Sequence, residues 1–171
     1  MFSGHIFIHI FMALVCALKV ISHAKTHVEL LSQDPDSGLY RASRNGDLDL
    51  VKFHISRGAN AWNGAMSEAA YGGHADLVRF FIEKGANDWN RAMLWAAKNI
   101  EKEGNMDIVR LFIKKGANNW DEAMCEAAEE GHMDLVQFFI DRGASDWVAG
   151  MCWAESGGQM DLVEFFKKKM K

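Results

Sequence analysis

Apolar positions recur along this chain in two alternating patterns. The first is a run of small residues, Ala65-Met66 with Ala69-Ala70, which returns at Ala92-Met93 with Ala96-Ala97 and at Ala123-Met124 with Ala127-Ala128. The second is denser: Leu77, Val78, Phe80, Phe81 and Ile82 leave only position 79 polar. Both have helical rather than alternating spacing, so they predict an all-α chain built from helix pairs. The Asp-Leu/Ile-Val triplet that opens the second pattern starts at Asp49, Asp76, Asp107, Asp134 and Asp161, at intervals of 27, 31, 27 and 27 residues. Trp62, Trp89, Trp120 and Trp147 keep that step, as do the Gly-Ala pairs at 58, 85, 116 and 143. A fixed period in this range means a stack of similar small units. Such stacks present surfaces to partners far more often than they build catalytic pockets.

Within one copy, Asn63 (Asn90 and Asp121 in later copies) stands where a helix N-cap is expected, since its side-chain oxygen can accept from free backbone N–H groups. Gly72-Gly73 ends the first helix because glycine tolerates a left-handed turn. The second helix starts near His74, and its wide apolar surface predicts burial between neighbours. An Asp in its first turn and Arg57, Lys84, Lys115 or Arg142 in its last complement the helix dipole. Gly58, Gly85, Gly116 and Gly143 then sit where a terminating glycine is needed. A linker of about six residues leads to the next copy, and no strand fits between them.

The stretch Gly73-His74-Ala75-Asp76-Leu77-Val78-Arg79-Phe80-Phe81-Ile82-Glu83-Lys84-Gly85-Ala86-Asn87 resembles the second helix and following turn of an ankyrin repeat. The preceding Ala-Ala-x-x-Gly-His resembles that family's junction between its two helices. The resemblance covers residues 36–171 in five copies: 36–62, 63–89, 90–120, 121–147 and 148–171. It implies an ankyrin-like helix-turn-helix solenoid. Two departures stand out. The Thr-Pro-Leu-His start of the family is replaced by Asn-x-Ala-Met, and the period is about six residues short of the usual ~33, which removes the β-hairpin finger. Shortened repeats with this Gly-Ala-x-x-Trp signature resemble ankyrin-type proteins multiplied in large DNA viruses.

The remaining composition narrows the function. A net charge of −4 gives no basic footprint for nucleic acid. Three cysteines are too few for a disulfide framework. Cys125 and Cys152 share one repeat position and read as free, core-side thiols, because stacked helices are farther apart than a disulfide reaches. The single proline, Pro35, lies outside the repeats and closes a leader, 1–35. Residues 6–18 have the length of a secretory h-region, with small residues at Ser22-His23-Ala24, but no Lys or Arg precedes them and His9 interrupts them. From Ile6 to Ile21 the run is short of the ~20 residues of a membrane span. A signal cleaved near Ala24, an uncleaved anchor, a packing helix and a true start at Met12 all stay open. The last copy is polar: Lys167 replaces a core Ile, Glu155 replaces the second Ala, and Lys167-Lys168-Lys169 follows Phe165-Phe166. That suits a capping unit.

No Ser/His/Asp or Cys/His arrangement recurs, and neither a phosphate loop nor an H-E-x-x-H motif is present. His74 and His132 belong to the repeat motif and read as turn-stabilising donors. His5/His9 and His23/His27 have i, i+4 spacing but no further ligands at metal spacing, so no metal or cofactor is expected. The tryptophan series reads as a structural seal between units. Trp95 and Trp153 differ, since their position is Arg41, Glu68 or Glu126 elsewhere, and a core site does not alternate between Trp and Glu. Copy four carries seven net negative charges, with Glu126, Glu129 and Glu130 crowded together, whereas copy three carries three net positive charges and a four-residue insertion within 99–105. The charges either pair within the stack or favour a basic partner. The insertion lengthens the first helix or the turn after it, as a neutral extension or on a binding face.

These features lead to an expectation: a monomeric, intracellular, non-enzymatic scaffold without small-molecule substrate. It binds a protein partner through the first-helix face at Tyr71, Trp95, Lys98, Glu126, Glu129, Glu130 and Trp153. The alternative is a secreted or membrane-anchored effector directed by its leader.

Overall fold

The computed structural model describes residues 34–99 and 105–171. Leader residues 1–33, with the histidines at 5, 9, 23 and 27, and residues 100–104 of the insertion lie outside the described residues. Ten helices and no strand occur among those described: α1 (Pro35–Asn45), α2 (Leu48–Ser56), α3 (Trp62–Tyr71), α4 (Ala75–Glu83), α5 (Trp89–Lys98), α6 (Asn105–Lys115), α7 (Trp120–Glu129), α8 (Met133–Ile140), α9 (Trp147–Ser156) and α10 (Met160–Lys169). They form five antiparallel pairs. Each odd-numbered helix packs on its own partner and on the odd-numbered helix of the next unit. The fold is an all-α solenoid, as the period predicts.

Glycine in the left-handed region ends both helices of a unit. In unit two Gly73 (φ 78°) and Gly85 (φ 99°) hold it. After Gly73 the His74 N–H donates to the Ala69 carbonyl at 2.9 Å, and after Gly85 the Ala86 N–H donates to the Phe81 carbonyl at 2.9 Å. These i→i−5 bonds consume carbonyls that a helix end would otherwise leave unpaired. They also drive Ala59, Ala86, Ala117 and Ala144 into the core.

In units two to four the first helices bury Ala65, Met66, Ala69 and Ala70 and their counterparts completely. Small side chains there let the helices approach closely. The second helices bury Leu77, Val78 and Phe81, at about 1.5–3 kcal/mol for each large side chain. Their burial is one-sided, narrower than the sequence predicts. Phe80, Phe138 and Phe165 lie partly exposed under Lys84, Arg142 and Lys169, whose charged heads stand 5.5, 3.5 and 5.4 Å from the ring centres. Trp62, Trp89 and Trp120 stack on Phe81, Phe112 and Phe139, each at 6.4 Å between ring centroids. These three tryptophans therefore stack within their own helix pairs, not between units as the sequence suggests.

Three expectations are corrected. The helices open at the tryptophans, so Asn63, Asn90 and Asp121 sit in the first turn and are not N-caps; those positions belong to Ala61, Asp88 and Asn119. Pro35 is not outside the repeats but opens α1 where the later units have Trp, a place its fixed φ suits. Cys152 is exposed, unlike Cys125, because α9 has no further described helix packed on that side. Of the two places open to the insertion, the first helix is excluded: α5 has ten residues, the same as α3 and α7, and the extra residues fall after Lys98.

Candidate functional site

The displaced Asn and Asp residues form one half of each junction. Asp36 Oδ1 accepts from the Asn60 and Ala61 N–H groups at 2.9 and 3.1 Å. Asn63 does the same for Asn87 and Asp88 at 2.7 and 3.0 Å, and Asn90 for Asn118 and Asn119 at 2.8 and 3.2 Å. Asp121 accepts from Ser145 and Asp146 at 2.6 and 2.9 Å. One side-chain oxygen thus clamps two backbone N–H groups of the loop entering the following unit, groups that no helix ladder would satisfy. A second row of bonds crosses the other end of the first helices. His74 Nε2 lies 3.0 Å from the Arg44 carbonyl, Asn99 Nδ2 donates to the Tyr71 carbonyl at 2.9 Å, and Gln159 Nε2 donates to the Glu129 carbonyl at 3.3 Å. His74 is thereby explained as a junction residue.

Between these two rows, the fifth and eighth residues after the clamp position of each unit (Val148 in unit five) share one helix face, as i and i+3 neighbours do. The fifth are Arg41, Glu68, Trp95, Glu126 and Trp153; the eighth are Arg44, Tyr71, Lys98, Glu129 and Ser156. Across the first junction, Arg44 Nε reaches Glu68 Oε2 at 2.6 Å. Its guanidinium also lies 4.6 Å from the Tyr71 ring centre and 5.7 Å from that of Trp95, spanning two units. Tyr71 and Trp95 meet edge to face, centroids 5.8 Å apart at 74°, an arrangement favoured by the ring quadrupoles. Across the third junction, Lys98 Nζ lies 2.9 Å from Glu129, 3.1 Å from Glu126 and 3.8 Å from Glu130. The hydrogen bond to Glu129, then that to Glu126, holds the Lys98 ammonium well above its ordinary value against the opposing effect of burial.

Six of the seven residues expected from the sequence therefore come together, lining or flanking an open cleft of about 270 Å³ walled by Arg44, Tyr71, Leu94, Trp95, Lys98 and Glu126. Trp153, 39% exposed, stands apart over a neighbouring groove of about 340 Å³ with Glu122, Cys125, Glu126 and Asp146. Leu94 and Glu126 border both. Burial, followed by the charges of Asp146, Asp121, Glu126 and Glu122, pushes the Cys125 thiol up to about 12, so it is no nucleophile at neutral pH. Arg44, Glu68 and Leu94 were missed from the sequence. Arg44 shares its repeat position with Tyr71 and Lys98, which was the available signal. Among the described residues no group of three His, Cys, Asp or Glu is placed to hold a metal ion, and no helix is long and apolar enough to cross a membrane.

The geometry defines a class: a repeat solenoid with constant junction clamps and a variable side-chain face. The family model described as ankyrin repeats (3 copies) matches residues 39–123, and the chain belongs to the ankyrin-repeat family. Ankyrin repeats generally mediate protein–protein interaction. A comparison with curated proteins finds no match.

Proposed function

We propose that the chain is a non-enzymatic, monomeric scaffold that binds a protein partner through the first-helix face, at Tyr71, Trp95, Lys98, Glu126, Glu129, Glu130 and Trp153, with Arg44 added. One observation carries this reading. At the fifth and eighth positions the chemistry changes at every junction, whereas the clamps and core around them keep one role throughout. Partly exposed Tyr, Trp and Arg side chains are the types that dominate binding energy at protein interfaces. The three carboxylates around Lys98 outnumber the cation they hold, which favours a partner with a basic surface. The cleft, at about 270 Å³, is smaller than a typical small-molecule site. Cys125 and Cys152 are free thiols, which supports an intracellular setting.

The test is affinity capture with wild type and a Trp95→Ala/Glu126→Lys double variant, each checked by circular dichroism for an unchanged fold. Loss of partner recovery in the folded variant supports the face. Equal recovery removes it as the binding surface.

A further inference from the structure

Unit one breaks the core pattern at one place. The buried ring at the centre of the second helix is Phe81, Phe112, Phe139 and Phe166 in units two to five, all fully buried. In unit one it is His54, 1% exposed, with no hydrogen-bond partner at either Nδ1 or Nε2. Gly38 lies against the imidazole so closely that a Cβ there would strike the ring, as one on Gly150 would strike Phe166 in unit five, whereas the three units between carry Ala65, Ala92 and Ala123 at that position. Pro35 stands where those units have Trp. Phe53 packs edge-on at 5.2 Å and offers no acceptor.

The charged groups that act on the ring are cations: Arg57 at the end of α2 and Arg41 on α1. The carboxylate of α1, Asp36, accepts from the loop at 60–61, and Glu68 on the packed α3 is held by Arg44. A proton on His54 therefore places a positive charge in a buried seat without an acceptor, where a Phe would be indifferent to pH. The same unit carries Arg44 on α1, which spans Tyr71 and Trp95.

We infer that His54 makes unit one an acid-sensitive latch on the variable face: protonation loosens α1 and α2 and withdraws Arg44 from Tyr71 and Trp95. The consequence for partner binding rests on the proposed function; the latch itself does not. Burial first, then Arg57 and Arg41, hold the imidazole below its ordinary 6.5. The unfolded unit thus takes up the proton at higher pH than the folded one. The latch is fully closed above pH 6.5, weakens as pH falls through that value, and stops weakening below the folded value. The opening equilibrium shifts by at most about tenfold per pH unit within that window.

Amide hydrogen exchange of the full chain over residues 35–57, corrected for intrinsic rates, tests this at pH 7.5 and 5.5. Opening in wild type is expected to rise towards the acid side relative to units two to four, and His54→Phe is expected to abolish that rise. An equal rise in both proteins overturns the latch. Should His54→Phe not fold, the ring titration of wild-type His54 by NMR decides, and a midpoint at or above 6.5 overturns it. The Trp95 indole resonance is expected to move over the same window in wild type. If α1 and α2 open while Trp95 stays unmoved, the withdrawal of Arg44 is overturned. Neither readout uses a partner, so the latch and the withdrawal of Arg44 stand or fall independently of the binding proposal.

Discussion

Two sets of side chains line the junctions of this stack, only a few residues apart on the same helices, and they behave in opposite ways. At the clamp position Asp36, Asn63, Asn90 and Asp121 make one arrangement four times, a single oxygen accepting two loop N–H groups at 2.6–3.2 Å. On the face, the first junction has an Arg–Glu pair, the second a Tyr–Trp contact and the third a Lys held by carboxylates. The clamp has to satisfy backbone groups that are identical in every unit, so its chemistry is fixed. The face meets no such demand, and in a solenoid each unit needs only to fit its neighbours. Constancy therefore marks stability here, and variation marks the surface free to specialise.

The contrast is broken most severely from the constant side. Phe112 is fully buried at the centre of the stack and carries the Trp89 ring. Phe112→Ala should cost about 3–5 kcal/mol, read as a lowered urea midpoint, because the rigid neighbours on both sides cannot collapse into the cavity. A cost below about 1 kcal/mol would mean that the units are less tightly coupled than their packing indicates. The clamp comes next. Asn90→Ala removes the acceptor for Asn118 and Asn119, but both bonds lie near solvent and water replaces part of the loss, so about 1 kcal/mol is expected. Asn90→Asp should be close to neutral, since Asp36 and Asp121 do the same work. If Asp fails where Asn succeeds, the junctions are not equivalent.

Most of the fold was legible because it follows from periodic demands. Helical spacing, left-handed glycines and the polar last copy each have a local physical reason visible in the residues themselves. The clamps were not legible, owing to a two-residue shift. Helix ends read from sequence are uncertain by a residue or two, and moving the N-cap from Asn63 back to Ala61 turns a cap into a bridge. On the face, Tyr71, Trp95, Lys98 and the three glutamates stood out as exceptions to the repeat. Arg44 did not, because the reach of its guanidinium across two units is a long-range contact that no spacing rule encodes. His54 was not singled out, because its missing partners appear only once the helices are packed.

The smallest effect is the sharpest test of the comparison, because it sets two tryptophans against each other. Trp120 belongs to the constant set and stacks on the buried Phe139 at 6.4 Å. Trp153 belongs to the variable set and is 39% exposed over a groove. Residue type and helix class are the same, so the two substitutions to Ala differ mainly in what each ring covers. Trp120→Ala should cost about 3 kcal/mol through lost burial and a gap over Phe139. Trp153→Ala should stay within about 0.5 kcal/mol of wild type, as surface changes away from packing features do. Chemical denaturation of both variants under one set of conditions gives the difference directly. Equal costs would show that the fifth position is a packing site in unit five, and Trp153 would then leave the binding face.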